Sequence, residues 1–406
     1  MDDRLSRATA TEGEDRAGRG ISRSRLALLF LKIGCIGFGG GMATIALMEQ
    51  EVVRRRRLLD PEEFVHGVGL GQVLGPFAVN ASCFVGFRLS GLVGSLLCAG
   101  AFLTPSVLLV IGLSWLYFTY HNIPALQGAM AGIGPVVIAL ILGAAWSLGR
   151  KTLRAWPAWV VAALALAASM LRANPVYTLA GAGAIGLILG KARLHGSHGP
   201  EKRQETDPRR DGPKGQPGIA LLTIAGPLGG SGGASLSGMA ATLFKVGCVF
   251  FGGGFVLVPI LHTQVVDTLH WLTPQEFVDG VAISNLTPGP IAVLATFTGF
   301  HLHGTMGALV ATLALFAPAL LLMLVLSWQY DRLKGTHRAQ DFLSGVTPAV
   351  VGLVLGAALL LAPGGIPSVK ALLFAGLTLV LLTRFAWPPA FVLALGALSG
   401  LVHWIP

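Results

Sequence analysis

Apolar runs of helix-spanning length follow one another along most of the chain, separated by short polar loops. In the first half they lie at 26–53, 62–88 and near 92–119, 128–149, 156–171 and 175–190. Alternation at every second residue, the mark of a membrane barrel strand, is absent. The pattern predicts an all-α polytopic membrane protein. One run, Phe277 to Phe300, contains Ser284-Asn285-Leu286-Thr287-Pro288-Gly289-Pro290. Two prolines and a glycine cannot continue a helix, because proline lacks an N–H and clashes with the preceding turn. The run therefore reads as two short helices meeting at a break. At membrane depth a break is tolerated only when buried in protein or facing a wet cavity, which makes it a pointer to a binding site. The half-helix starting near Ile291 aims its unpaired N–H groups and positive dipole end at the break, which favours an anion. A proline kink with no ligand is the alternative.

The chain is a tandem duplication. Residues 29–41 and 242–254 agree at seven of thirteen positions, including Lys32 with Lys245 and Gly39-Gly40-Gly41 with Gly252-Gly253-Gly254. The same offset of 213 pairs Glu63-Phe64 with Glu276-Phe277, Gly86-Phe87 with Gly299-Phe300, Pro105 with Pro318 and Pro175 with Pro388. A polar arm (1–25) therefore precedes a first repeat (26–190), a polar linker (191–238) and a second repeat (239–406). Loop charge then sets orientation. Arg54 to Arg57, Arg88 and Arg150-Lys151 correspond at +213 to segments without that basic excess, whereas the loop near Tyr120 corresponds to basic Arg332 to Arg338. Under the positive-inside rule the bias is reversed between the halves, so the repeats are inverted. Arg54–Arg57 and Arg88 share a side, so the segment between them enters and leaves by one face. Each repeat is expected to hold about five spans plus one re-entrant broken-helix hairpin. The first broken segment is read as a crossing, with the N-terminal arm on the face opposite Arg54–Arg57.

Composition supports this class: 53% of residues are hydrophobic and 12% charged, with 55 glycines and 23 prolines. A net charge of +10 would suggest nucleic acid in a soluble protein. Here the basic residues sit in the arm, the linker and short loops, and no nucleic-acid-binding motif accompanies them. The lipid bilayer is the expected partner, nucleic acid is not one, and a homodimer is left open. The four cysteines lie in apolar segments without CxxC spacing and read as packing residues. The first apolar run is too long for a cleavable signal and reads as a membrane segment.

Two inverted hairpins would bring Leu74-Gly75-Pro76-Phe77 and Thr287-Pro288-Gly289-Pro290 to a common midplane. An oxyanion could sit among the backbone N–H groups there, with Gln72, Asn80, Ser82, Ser284, Asn285, Thr287 and Thr296 nearby. Local capping of broken helices accounts for the same side chains. The triple glycines break the first segment of each repeat and let backbone approach a ligand closely. A nucleotide loop would need a preceding strand and a following Lys-Ser/Thr, and has neither. Lys32 and Lys245 lie inside apolar runs, where attraction of an anion and snorkelling to the interface are both open. Glu63 and Glu276 begin the hairpins; they are coupling candidates, with complementing of the helix dipole as the simpler role. The histidines share no metal-ligand spacing between halves, and no metal, cofactor or catalytic constellation is assigned.

With these motifs in hand, the chain resembles the chromate ion transporter family in its long, two-domain form. The resemblance rests on Lys32 to Gly41, its repeat at Lys245 to Gly254, Glu63-Phe64, Glu276-Phe277 and Pro288-Gly289-Pro290. It implies a multi-pass protein of the bacterial inner membrane that exports chromate and confers chromate resistance, with sulfate as the isosteric competitor. A permease for sulfate or another small anion is the alternative, and an enzyme acting on a lipid-linked substrate the more distant one. Family members usually carry a Pro-Gly-Pro-like break in the first hairpin as well, where this chain has Leu74-Gly75-Pro76.

Overall fold

The computed structural model describes residues 22–37, 41–73, 75–120, 123–189, 235–250, 254–329, 338–385 and 387–402; the N-terminal arm and the linker lie outside them. Among the described residues there is no strand. The first repeat comprises α1 (Arg23–Ile36), α2 (Gly41–Met48, continued by a π-helix Glu49–Arg55), α3 (Pro61–Val73), α4 (Phe77–Tyr120), α5 (Pro124–Thr152), α6 (Trp156–Met170) and α7 (Pro175–Leu189). The second comprises α8 (Leu236–Val249), α9 (Leu257–His262, continued by a π-helix Thr263–Thr268), α10 (Pro274–Leu286), α11 (Leu294–Trp328), α12 (Arg338–Gly365), α13 (Val369–Arg384) and α14 (Pro389–Leu401). Helices Phe77–Tyr120, Pro124–Arg150, Ile291–Trp328 and Gly345–Gly365 are long and apolar enough to cross a bilayer.

Both predicted hairpins form. α3 has 13 residues, about 20 Å of helix, which is short of the ~30 Å apolar core. The chain turns at Gly75 (φ +96°) and returns along α4, so that Asn80 Nδ2 donates to Gly71 O at 3.3 Å. α4 then reverses again at Ser90 and Gly91 (φ +62°). Its two arms pack together where Gly86 faces Gly94 and Ser95 Oγ donates to Cys83 O at 2.9 Å. The second repeat does the same. Gly289 (φ +112°) turns the hairpin and Gly304 (φ +59°) turns α11. Thr296 and Thr312 hydroxyls meet at 2.7 Å between its arms.

The hairpins enter from opposite ends. Arg88 pairs with Glu63 at the mouth of the first, and the second arm of α4, 92–120, starts there. At its other end Tyr117 Oη donates to Asp279 Oδ2 at 2.7 Å, and Phe118 packs on Phe297 (5.1 Å) and Phe300 (6.3 Å), the mouth of the second. Twenty-five residues of helix set the two mouths roughly 40 Å apart. The inversion read from loop charge is thus a property of the packing.

The first broken segment folds back rather than continuing across, which adds a second hairpin to each repeat. Lys32 Nζ lies 3.2 Å from Glu51 Oε1; a straight segment would hold these residues about 28 Å apart. Arg23 Nε reaches Ser90 Oγ (3.4 Å), so α1 begins at the same end as Arg88. The expected placement of the start of the first repeat opposite the arginine run is corrected accordingly. Glycines carry no signal that distinguishes a kinked crossing from a reversal, which is why hydropathy read it as a crossing.

The repeats are also interwoven. α5 packs against α13 and α14 of the second repeat, and α12 packs against α6 and α7 of the first. Gly132 sits on the Gly396 carbonyl, Gly345 on that of Ala182 and Gly352 on that of Ala162. A Cβ at any of these would collide with backbone, so small residues set these close approaches.

Candidate functional site

Each hairpin tip packs against the broken segment of the other repeat. Gly289 N donates to Gly37 O at 3.2 Å, and Gly75 abuts the carbonyl of Phe250, the residue equivalent to Gly37. Within each repeat the break also touches its own hairpin: Gly41 lies against the Phe77 ring and Gly254 against Ile291. Four helix interruptions therefore meet at one place, two from each repeat. The tip of the second hairpin is held further, because Ser106 Oγ on α4 donates to Pro288 O, and Thr44 Oγ1 donates to Gly37 O (3.3 Å).

The tips differ by one residue. Gly75 to Gly91 is a step of 16, Gly289 to Gly304 a step of 15. The second repeat begins its return with a 3-10 turn, Ile291–Val293. Three residues of 3-10 helix rise about 1.5 Å more than the same residues of α-helix, which is one residue's rise. The constant sequence offset thus slips locally, and Gly75-Pro76 superposes in role on Gly289-Pro290.

Gly39, Gly40, Gly252, Gly253 and Leu74 lie outside the described residues, as does the side chain of Gln72. The polar side chains that are described use their donors locally. Ser82 Oγ donates to Val79 O (2.6 Å), Ser284 Oγ to Gly280 O (2.8 Å), Asn285 Nδ2 to Val281 O (2.8 Å) and Thr287 Oγ1 to Ser284 O (3.0 Å). Glu276 closes a capping box, accepting from Thr273 N and Thr273 Oγ1, both at 2.8 Å. What is directed at the junction is the pair of helix beginnings after Pro76 and Pro290, with their positive dipole ends; Phe77 N–H already bonds Gly75 O, Val79 and Asn80 N–H bond Pro76 O, and Val293 N–H bonds Pro290 O.

Lys32 and Lys245 each precede their break (Gly37, Phe250) by five residues, about 7.5 Å of helix. Their surroundings differ. Buried Glu51 receives Lys32 Nζ, Arg55 Nη1 (3.0 Å) and Arg56 Nε (3.6 Å). In the second repeat the residue equivalent to Glu51 is Gln264, which is also buried, and Lys245 makes no ion pair among the described residues. Glu51 and Gln264 both lie in π-helical stretches, irregularities that concentrate at functional positions.

Sequence reading passed over three residues that the fold makes prominent: Ser106, Tyr117 and Asp279. Asp279 carried a signal, being a carboxylate inside an apolar run. Ser106 and Tyr117 carried none, because their partners lie 182 and 162 residues away.

Inverted repeats whose broken helices meet between them, with helix beginnings directed at the junction, define a multi-pass membrane protein built on the plan of a secondary transporter. The chromate transporter family profile matches the chain twice, over residues 24–187 and 238–401. A probable chromate transport protein of Synechococcus elongatus is 31% identical over 94% of this chain and 96% of its own length. The chromate transport protein of Cupriavidus metallidurans is 28% identical over 94% and 93%, and an uncharacterized transporter of Methanocaldococcus jannaschii 25% over 82% and 83%. No solved structure matches. The chain belongs to the chromate transporter family.

Proposed function

We propose that this protein carries chromate out of the cytoplasm across the bacterial inner membrane, and so confers chromate resistance. The observation that carries the reading is the reciprocal contact of tip and break, Gly289 N with Gly37 O and Gly75 with Phe250. It gathers helix beginnings from both repeats at one depth, where their positive dipole ends favour a dianion. Because the contact joins the repeats, rocking one against the other would open the junction to each end in turn. The residues proposed to bind the anion are the broken-segment glycines (Gly39, Gly40, Gly41, Gly252, Gly253, Gly254) and the hairpin residues Gln72, Asn80, Asn285, Thr287, Pro288, Gly289 and Pro290. Lys245, without a carboxylate, supplies the larger attraction for the anion, and Lys32 the smaller. An inside-negative potential drives a dianion outward by about 2.3 kcal/mol per charge per 100 mV.

The test is flux of radiolabelled chromate from liposomes holding the purified protein under an imposed potential, with sulfate as competitor. Potential-dependent chromate release above that of protein-free liposomes is expected. Release equal to the protein-free background overturns the proposal. Flux saturated by sulfate and indifferent to chromate would identify a sulfate permease instead.

A further inference from the structure

Beyond the point where it touches the second hairpin tip, α4 buries one narrow stripe: Ser106, Val110, Ser114 and Tyr117 are covered, while Leu108 and Trp115 on its other faces are exposed. Both ends of the stripe bond the second hairpin, Ser106 to Pro288 O at the tip and Tyr117 to Asp279 Oδ2 (2.7 Å) at the mouth. Ser114 therefore lies along that same hairpin, about 12 Å of helix beyond Ser106 and about one turn inside the Tyr117 contact that shuts the mouth. The second repeat has the equivalent stripe on α11, which packs on α3. There Ala319, Met323 and Ser327 are buried, and Ser327 is the counterpart of Ser114 at the offset of 213.

Ser114 is 0% exposed and Ser327 2%. Neither hydroxyl has a hydrogen-bond partner among the described residues. Other hydroxyls of α4 and α11 return to their own backbone: Thr104 to Gly100 O (2.8 Å), Thr298 to Leu294 O (3.0 Å) and Thr312 to Ala308 O (2.7 Å). A buried hydroxyl left unbonded is destabilising, and here the penalty recurs at equivalent points of both repeats. Packing does not account for it, because alanine at either position would avoid it. What a hydroxyl offers that alanine does not is a donor, and its hydrogen bond is strongest when the acceptor is an anion.

We propose that Ser114 and Ser327 are way-station donors for the transported oxyanion, each bonding it between the junction and one mouth. The mouth of the second hairpin lies opposite the arginine run and so faces outside under the positive-inside rule. Ser114 serves that side, and Ser327, at the opposite end, serves the cytoplasm. Each hydroxyl meets the anion only while its own mouth is open, and is left unbonded when the packing closes over it. Asp279 beside the outer station keeps that stop shallow, as a conducting path needs sites weak enough to leave. The inference rests on the transport reading above and adds residues which that reading does not include.

Right-side-out and everted membrane vesicles, preloaded with unlabelled chromate and given radiolabelled chromate outside, separate the two faces. Ser114→Ala should raise KM at least about threefold in right-side-out vesicles and change it less in everted ones; Ser327→Ala should do the reverse. A KM unchanged on its own side in either variant, or raised equally on both sides, overturns the proposal. Thermal melting of the purified variants in detergent supplies a readout apart from transport. Because alanine removes an unbonded buried hydroxyl, both variants should melt no lower than wild type; a clear fall in either means that the hydroxyl is bonded within the fold and overturns the proposal. Wild-type vesicles without chromate exchange would overturn the transport reading and this inference with it, whereas wild-type exchange with unmoved KM in the variants overturns the way stations alone.

Discussion

The two repeats keep the same backbone interruptions and differ in the polar groups set beside them. Lys32 has Glu51 where Lys245 has Gln264 as the equivalent neighbour. Ser106 bonds the tip opposite, whereas its equivalent is Ala319; Asp279 at one mouth corresponds to His66 at the other. Duplication supplied a symmetric frame in which two breaks face two tips. Divergence then set the halves apart: among the described residues charge is neutralised around the first lysine and left on the second, and a hydroxyl of the first repeat bonds the second tip. The difference teaches that, on the function proposed above, anion attraction belongs chiefly to the second repeat, while the first supplies Ser106, which holds the opposite tip.

Substitutions at the tips should have the largest effect. Gly75→Ala and Gly289→Ala each place a side chain at positive φ, costing about 1–2 kcal/mol, and drive it into the Phe250 carbonyl or Ser106. Chromate flux per folded molecule should fall more than tenfold in both, read in liposomes with protein amount checked by size-exclusion chromatography. A wild-type rate in Gly75→Ala alone would break the equivalence of the tips.

The lysines come next. Lys245→Ala should lower flux by roughly tenfold through loss of anion attraction, and Gln264→Glu should match it by introducing a neutralising carboxylate. Lys32→Ala leaves Glu51 with Arg55 and Arg56 and should lower flux by no more than about threefold. Equal losses in Lys32→Ala and Lys245→Ala would erase the asymmetry.

Smaller effects sharpen it further. Ser106→Ala removes one buried hydrogen bond and should cost about 1 kcal/mol of stability, visible as a lower melting temperature in detergent. Glu276→Gln should weaken the capping box by about 1 kcal/mol or less with flux unchanged; a loss of flux in Glu276→Gln would return the coupling role to that residue.

Much of this frame was legible in the amino acids. Gly-Pro breaks, repeated at one offset, name the hairpins and the duplication because no helix tolerates them, and loop arginines give the inversion. Three things were not legible. The reversal between Gly37 and Gly41 brings Lys32 beside Glu51, a contact that a hydropathy pattern does not encode. Ser106 and Tyr117 matter only through partners in the other repeat. The one-residue slip at the tip is hidden because a 3-10 turn absorbs it before the next glycine restores the register.

The exchange of terminal helix pairs governs how the chain is made. When α5 leaves the ribosome, α13 and α14, two of the helices that will cover it, are some two hundred residues from being synthesised, about 10–40 s at ordinary translation speed. Through that interval the apolar flank of α5 rests on lipid or on the insertion machinery. The native arrangement is therefore completed late and all at once, when the last helices of the polypeptide slot in beside one of its earliest.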